Sequence, residues 1–573
     1  MFFKHNSLII GLSLACIALP SCVDDKYDLS DVDTTVRVDV NELTLPIKLD
    51  EIKLESILKE SDRVKIIDGV YTVVEDGNFE SDPVYIEPVW IKSQMIPMPP
   101  RVKIPYVPGV ATGDVLLEFT TPESEYNFSA KNLPYQITGI DAIGADLTFE
   151  FELTVINYEK VARKVERRDV VLQLPKGLTI TDDGGGEYDP QTGELAMPTL
   201  NHDEYVKFYI HASRADFETM GGTFVPEEHK VEVNGVVNFK SGKLALLDLI
   251  ENGPATEIQM VVSYSIPDFK LKTFSGGMKY DFEAVNFSDV RLDDMPDILN
   301  QPGTNLKIAN PCIFLKVDNP MQSYGLKAQT GLTITAYHNT DATAYPIDNP
   351  YFTIGNDHAD GVYTFCLSPK MPATTPEGFG NPEHVLYTKL SDVLSNAGDP
   401  KHGIPSYLAI QLNNPQIPDQ TIVDMPIGQF IKEVRGKYEF HAPIALMEGS
   451  TIVYEETVTG WGSDEFDNFT ITQLDVDAKL SCDIPIGLDI EAYPVDVKGN
   501  QIGNVEIEGA RINAGSEPQD VHLHITGNIK GFDGIRYVAK ATAGAGDEVL
   551  RTDMNIRVLN LRPTISGYYM KEL

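Results

Sequence analysis

A regular alternation of apolar and polar side chains limits much of this chain to β structure. In ADLTFEFELTVINY, every second residue from Leu147 to Val155 is apolar, and Thr or Glu fills the positions between them. A period of two residues places apolar side chains on one face of a strand and polar ones on the other. The segments TEIQMVVSYSIP (256–267) and CIFLKV (312–317) follow the same rule. The alternation therefore predicts half-buried strands in antiparallel sheets.

Turn signals separate these segments. Asp68-Gly69 lies between two β-branched runs, which predicts a type I′ hairpin because both turn residues need positive φ. Only two short helices are predicted, YTKLSDVLSNAG (387–398) and GQFIKEVRG (428–436), and the chain contains 37 prolines. We therefore predict a mainly β protein of tandem antiparallel β-sandwich modules, in an elongated chain with few short helices.

The N-terminus has a different pattern. Lys4 precedes an apolar run over residues 8–18, which is typical of a secretory signal peptide and shorter than the roughly 20 residues of a spanning helix. Leu19-Pro20-Ser21-Cys22 resembles the bacterial lipobox, in which the cysteine is acylated. The resemblance implies a lipoprotein signal peptide over residues 1–21 and lipid attachment at Cys22. An ordinary signal peptide with an incidental cysteine is the alternative.

An acidic stretch follows Cys22. Consecutive carboxylates stay solvated, so residues 22–33 are predicted to form a flexible acidic tether. VDDKYD (23–28) resembles the stretch that directs Bacteroidota lipoproteins to the outer face of the outer membrane. The resemblance implies a protein anchored in the outer membrane and facing the cell exterior. Asp33-Thr34-Thr35 resembles the O-glycosylation signal of Bacteroidota, which implies a glycan at Thr34.

Breaks in the alternation suggest domain boundaries. The proline-rich segment MIPMPPRVKIPYVPG (95–109) predicts a linker at the end of a small N-terminal β unit, residues 34–110. Three larger β-sandwich modules are predicted to follow, over residues 111–256, over residues 257–435 with short helices, and over residues 436–573.

The first of these modules carries a second resemblance. ERRDVVLQLPKGLTITDDGGGEYDPQTGELAMPTL (166–200) is similar to immunoglobulin-like (Ig-like) surface repeats of bacteria, with a Leu-Pro-x-Gly-Leu corner followed by a Tyr-Asp/Thr-Gly hairpin. Together with the lipobox and the leader YDLSDVDTT (27–35), this segment makes the chain resemble Bacteroidota surface lipoproteins with tandem Ig-like β modules. The resemblance implies a fold more than a function.

The net charge of the chain disfavours binding by two classes of partner. A net charge of −39 opposes contact with phosphates, so neither nucleic acid nor a bare anionic membrane is an expected partner. Membrane attachment should therefore depend on the lipid.

Beyond the leader, Cys312 and Cys366 fall in one predicted module and are the favoured disulfide pair, while free buried thiols, including Cys482, fit equally well.

Catalytic motifs are missing from the sequence. There is no nucleophile elbow, zinc-protease motif or phosphate-binding loop. Because the predicted modules are small sandwiches and no long segment has the pattern of a catalytic domain, we predict a non-catalytic protein without cofactors. A glycosidase remains open, since its two carboxylates lie about 5–9.5 Å apart and need no local motif.

Two segments contain possible metal ligands. His522 and His524 share one face of a predicted strand, but no third ligand is evident, and a polar strand face explains them equally well. The glycine-rich loop TDDGGGEYD contains four carboxylates that could surround Ca²⁺ or simply form a hairpin. They are Asp182, Asp183, Glu187 and Asp189.

Three functions therefore remain for a lipid-anchored surface protein. The first is a non-catalytic protein whose modules present a binding, adhesive or structural surface to a protein or glycan partner. The second is a glycan-binding accessory of a polysaccharide-uptake system, with Trp90 and Trp461 as candidate sugar contacts, although both rings fit a capping role in their modules. The third is a fimbrial subunit, in which the strand after a proteolytic cut at an arginine such as Arg37 would be exchanged between subunits.

Overall fold

A computed structural model gives the structure of the protein for most of the chain. The described residues are 35–44, 51–95, 101–108, 115–201, 205–292, 295–339, 341–355, 358–396, 403–460, 469–513, 515–546 and 548–572. The predicted signal peptide and tether, with Cys22 and Thr34, and also Trp461 lie outside them. The structure is 63% strand and 4% helix, with several antiparallel sheets in an elongated chain, which confirms the prediction of a mainly β protein; it does not specifically confirm Ig-like sandwiches.

The described strands are numbered in chain order. The first part of the chain contains β1 (Thr35–Thr44), β2 (Ile52–Lys53), β3 (Val64–Ile67), β4 (Val70–Glu80), β5 (Val84–Tyr85), β6 (Trp90–Met95), β7 (Val102–Tyr106), β8 (Val115–Phe119) and β9 (Ser124–Ala130). The next part contains β10 (Ala142–Ile156), β11 (Ala162–Gln173), β12 (Leu178–Asp182), β13 (Glu187–Asp189), β14 (Glu194–Ala196), β15 (Leu200–Asn201), β16 (Tyr205–Asp216), β17 (Thr223–Val225), β18 (Lys230–Leu249), β19 (Thr256–Ser265) and β20 (Phe269–Asp281).

The remaining strands complete the fold. They are β21 (Val285–Asn286), β22 (Val290–Arg291), β23 (Cys312–Asp318), β24 (Ala328–His338), β25 (Asp341–Pro346), β26 (Phe352–Ile354), β27 (Val362–Ser368), β28 (Glu383–Leu386), β29 (Tyr407–Pro426), β30 (Phe430–Ile431), β31 (Arg435–Pro443), β32 (Thr451–Val458), β33 (Phe469–Cys482), β34 (Ile486–Val495), β35 (Val505–Glu508), β36 (Ala510–Ile512), β37 (Gly515–Ile529), β38 (Gly534–Ala543) and β39 (Asn555–Glu572).

Helices are short throughout the described residues. The α-helix α1 covers Leu54–Ile57, and single 3₁₀ turns cover Tyr158–Lys160, Pro226–Glu228, Asp297–Leu299, Pro320–Tyr324 and Thr388–Asp392. None of these helices has the length and apolar character needed to cross a membrane. Of the two predicted helices, the first is only the 3₁₀ turn at Thr388–Asp392, and the prediction over residues 428–436 is wrong because the chain there enters β30 and β31.

The first hydrophobic core forms around β10. This strand pairs with β16, β19 and β20, and its residues alternate between buried and partly exposed as predicted. Phe151 lies at the centre, stacked on Phe208 with ring centroids 5.1 Å apart and edge-on to Tyr264 at 5.6 Å. Aromatic pairs of this geometry stabilise beyond their buried area, by about 0.5–1.5 kcal/mol each.

The predicted type I′ hairpin is confirmed. Strands β3 and β4 pair directly across Asp68 and Gly69, whose φ values are 52° and 77°. Positive φ at both turn residues matches the right-handed twist of the two strands.

The strands of residues 34–110 are shared among several sheets and do not form the separate N-terminal unit that we predicted. Strand β1 pairs with β39, β4 pairs with β31, and β7 pairs with β19. The predicted boundary between residues 435 and 436 falls inside β31, and the one between 256 and 257 falls inside β19. Period-two patterning shows which face of a strand is buried but not which distant strand pairs with it, and this explains the difference.

Two further hydrophobic cores lie outside the first one. The second packs buried side chains from residues 54–79, 285–452 and 480–550, and includes the sheet with the order β28-β27-β23-β31-β4-β3. The third lies beneath a six-stranded sheet that we call the terminal sheet, with the order β1-β39-β33-β37-β35 and with β2 paired to β39.

Candidate functional site

The terminal sheet brings histidines and carboxylates together on one face. Asp475 of β33 is paired with His524 of β37, and Asp477 is paired with His522. His524 is in turn paired with Glu508 of β35. Directly paired residues of an antiparallel sheet project from the same face, so these five side chains form one polar row, which we call the Asp–His cluster.

The opposite face of the same strands fixes this arrangement. Leu474 and Ile525, which neighbour Asp475 and His524 in sequence, are paired with each other and are buried in the third core. A shift of one residue in the pairing would expose these apolar side chains and bury the polar row. The hydrophobic core therefore sets the register that assembles the Asp–His cluster.

Asp475 is the centre of the cluster. Its Oδ1 atom accepts a short hydrogen bond from His524 Nδ1 and lies 3.8 Å from His522 Nε2. Its Oδ2 atom accepts a hydrogen bond from Gln473 Nε2 at 2.6 Å. Burial of Asp475 opposes its ionisation, but the hydrogen bonds from His524 and Gln473 and the charges of both imidazoles outweigh that effect and lower its pKa.

His522 has a partner of its own. Its Nδ1 atom lies 2.8 Å from Oδ1 of Asp477, and this hydrogen bond is the main reason that the pKa of His522 is raised. The two imidazole rings lie nearly parallel, with centroids 5.8 Å apart. Sequence analysis predicted that both histidines share a face of one strand. The structure adds Asp475 as the third potential metal ligand, which the sequence did not reveal.

The acidic loop does not bring its four carboxylates together. Asp182 and Asp183 accept hydrogen bonds from the backbone N–H groups of Gly184 and Gly185. Asp189 accepts hydrogen bonds from Gln191 N and Thr192 Oγ1, which lower its pKa. Glu187 is an exposed residue of β13. Three of the four carboxylates thus stabilise turns of a hairpin, and within the described part of the chain the potential metal-binding group is Asp475, His522 and His524.

A second candidate surface contains exposed aromatic rings. Trp90 is 56% exposed and Phe430 is 72% exposed, and the ring of Phe430 lies 4.7 Å from that of Tyr85 across the pair β5–β30. Lys270 of β20 is paired with Trp90 of β6. The Nζ atom of Lys270 lies near Gly428, two residues before Phe430. We call Tyr85, Trp90, Lys270 and Phe430 the aromatic surface.

Sequence analysis missed Phe430 because it was assigned to a helix. Pro426 and Gly428 lie four and two residues before Phe430, and proline and glycine so close together mark a turn. They were the available signal for a short strand at this position.

The three described cysteines are free and buried. Cys312 and Cys366 lie in a small apolar cluster with Phe314 and Phe379, and Cys482 is buried in the second core. Burial raises the pKa of Cys482 to about 11. Sequence analysis did not decide between a Cys312–Cys366 disulfide and free thiols, and the structure has free thiols.

Comparisons with known proteins give little further information. No protein-family model matches the chain, and no curated protein matches it. A solved structure of a Parabacteroides distasonis protein described as secreted is 15% identical, with a TM-score of 0.36, over 51% of this chain and 89% of that chain. The Sulfolobus turreted icosahedral virus structure is 10% identical, with a TM-score of 0.12, over 84% of this chain and 92% of that chain. Similarity at these levels supports no conclusion about fold or function.

Proposed function

We propose that this chain is a non-catalytic, lipid-anchored protein of the outer membrane that presents a binding surface to the cell exterior. The observation that supports binding most directly is the aromatic surface, where Trp90 and Phe430 are largely exposed. Large apolar rings at the surface of a folded protein mark interaction sites more often than singly scattered aliphatic residues do.

The anchor part of the proposal is supported by the resemblance of residues 19–22 to a lipobox. Thr35 follows Cys22 by 13 residues in sequence, so it would lie at most about 47 Å from the lipid-bearing residue, at about 3.3–3.6 Å per residue. Strand β1, which begins at Thr35, pairs with β39. A lipid at Cys22 would therefore hold the start of β1, at one edge of the terminal sheet, within this distance of the membrane.

The anchor is tested by fractionation. Cys22→Ala should release the protein from membranes or mislocalise it, because the acyl chains are the proposed attachment. Cys16→Ala, which changes a cysteine of the signal peptide that is not the lipid site, should fractionate with membranes as the parent does. A Cys22→Ala protein that stays with membranes after a high-salt wash would contradict the anchor.

Glycan binding is a second candidate function, and a specific observation favours it. Trp90 and Phe430 are largely exposed, and the ring of Phe430 contacts that of Tyr85. Lys270 is paired with Trp90 on the neighbouring strand, so the aromatic surface offers apolar ring faces and a side chain that can donate hydrogen bonds. Sugar rings present C–H faces that pack on aromatic rings and hydroxyls that accept hydrogen bonds. The four side chains of the aromatic surface therefore give this candidate a testable site.

The test is a thermal-shift screen of the full chain against plant, host and microbial glycans. A glycan at 100 times its dissociation constant should stabilise the folded protein by about 2.7 kcal/mol. Trp90→Ala and Phe430→Ala should each abolish the shift, while Tyr351→Ala should retain it, because Tyr351 is another exposed ring, at 43%, outside the aromatic surface. The absence of any shift, with parent and variants folded, would reject glycan binding and leave a protein partner as the proposed ligand.

A further inference from the structure

We propose that Asp475, His522 and His524 form a Zn²⁺-binding site on the exposed face of the terminal sheet. Their donor atoms all lie within 4.8 Å of one another. A tetrahedral ion with Zn–N and Zn–O distances of about 2.0–2.2 Å needs donors about 3.3 Å apart. Small side-chain rotations bring the three donors to that separation, with the ion between His524 Nδ1 and Asp475 Oδ1. Binding displaces the proton of the hydrogen bond between these two atoms.

The neighbours of the three ligands already orient them for a metal. Asp477 accepts the hydrogen bond of His522 Nδ1 at 2.8 Å, so the Nε2 atom of His522 points toward Asp475 Oδ1. A carboxylate that holds the far nitrogen of a ligating imidazole is a recurrent feature of zinc sites. Gln473 holds the other oxygen of Asp475 at 2.6 Å and leaves Oδ1 facing both histidines.

The backbone that supports the ligands is held on both sides. Strand β33 lies between β39 and β37, and β37 lies between β33 and β35. Donors on hydrogen-bonded inner strands keep their separation more accurately than donors on loops. The two histidines come from alternate positions of β37 and the carboxylate comes from the adjacent strand, so a single register error would remove the site.

The donor set favours zinc over the hard cations. Two imidazole nitrogens and one carboxylate suit Zn²⁺ and its transition-metal neighbours, whereas Ca²⁺ and Mg²⁺ prefer oxygen ligands alone. The side chains of His522 and His524 are 55% and 30% exposed, so water can reach the fourth position of a tetrahedral ion. Glu508, which is paired with His524, adds a further carboxylate on the same face.

Calorimetric titration of the full chain with ZnCl₂ tests the site, using a protein purified without a histidine tag and stripped with chelator. One Zn²⁺ should bind per chain, and CaCl₂ should give no binding. His524→Ala and Asp475→Asn should each weaken binding at least 100-fold. Asp477→Asn should weaken it about 10–100-fold while one equivalent still binds, because Asp477 only orients a ligand.

His358→Gln is the matched control. His358 is an exposed histidine outside the terminal sheet, and its Nδ1 atom contacts the carbonyl of Val362. Its substitution should leave zinc affinity unchanged. The proposal is overturned if the folded parent binds no Zn²⁺, or if His524→Ala, shown by circular dichroism to be folded, binds Zn²⁺ as tightly as the parent. The milder variant His522→Gln should keep the fold and lose zinc binding, and this result would support the site independently.

Discussion

His441 of β31 lies edge-on to Phe314 of β23, with ring centroids 5.7 Å apart and an interplanar angle of 75°. The imidazole is largely buried in this position, and burial lowers its pKa. The carboxylate of Glu439, 3.2 Å from His441 Nε2, acts in the opposite direction but does not offset the burial. The folded protein therefore favours the neutral form of His441.

This relationship predicts a pH dependence of stability. In the unfolded chain His441 should titrate near pH 6.5, so below that pH the unfolded state binds a proton more readily than the folded state does. The stability that comes from a neutral His441 is present above about pH 6.5 and is lost as the pH falls toward the folded pKa. The thermal midpoint should accordingly fall further between pH 7.5 and 5.5 in the parent than in His441→Gln. Equal falls in both proteins, with His358→Gln as a reference for an exposed histidine, would disprove this role of His441.

The ring cluster around Phe151 predicts a large effect of a single core substitution. Phe151 is 1% exposed and contacts three rings, those of Phe208, Phe239 and Tyr264. Phe151→Ala should cost about 3–5 kcal/mol of unfolding free energy, because it removes buried apolar surface and leaves a cavity. Phe430→Ala makes the same chemical change at a 72% exposed ring and should stay within about 0.5 kcal/mol of the parent. Denaturant unfolding followed by near-UV circular dichroism measures both, and a similar loss in the two variants would contradict the assigned core.

The buried thiols predict a specific labelling pattern. Cys312, Cys366 and Cys482 are 3%, 0% and 1% exposed, so none should react with N-ethylmaleimide in the native protein. Unfolding in guanidinium without a reductant should expose all three, and peptide mass spectrometry should find each one labelled. Labelling of Cys482 alone, with the other two labelled only after reduction, would instead identify a disulfide between Cys312 and Cys366.

The local pattern of the sequence was enough to predict single strands and their buried faces. The alternation from Leu147 to Val155 corresponds to the buried face of β10, and the i, i+2 spacing of His522 and His524 corresponds to their shared face on β37. Both follow from the two-residue period of a strand, which needs no information about its neighbours.

Pairing between distant strands could not be predicted in this way. Asp475 meets His524 because β33 and β37 are adjacent, yet three intervening strands separate them in sequence. Strands β1 and β39 pair although they come from opposite ends of the described chain. The packing of whole sheet faces determines which distant strands pair. Local sequence patterns therefore could not predict Asp475 as the third ligand, or that the strands of residues 34–110 join several different sheets.

The hairpin between β3 and β4 requires a positive φ at Gly69, and substituting this glycine and a control glycine tests that requirement. Gly69 has a φ of +77°, and the nearest atom to a Cβ built there is Thr552 Oγ1 at 4.0 Å, so the space is open but the backbone disfavours a side chain. Gly69→Ala should therefore destabilise the protein by about 1–2 kcal/mol, the cost of a left-handed conformation for an L-residue. Gly503→Ala is the control, because a Cβ there meets no atom within 4 Å and the backbone does not require a left-handed φ. It should be neutral or stabilise by up to about 1 kcal/mol, since alanine reduces the freedom of the unfolded chain. Thermal melts of both variants decide the matter, and a Gly69→Ala protein as stable as Gly503→Ala would show that this turn does not need positive φ.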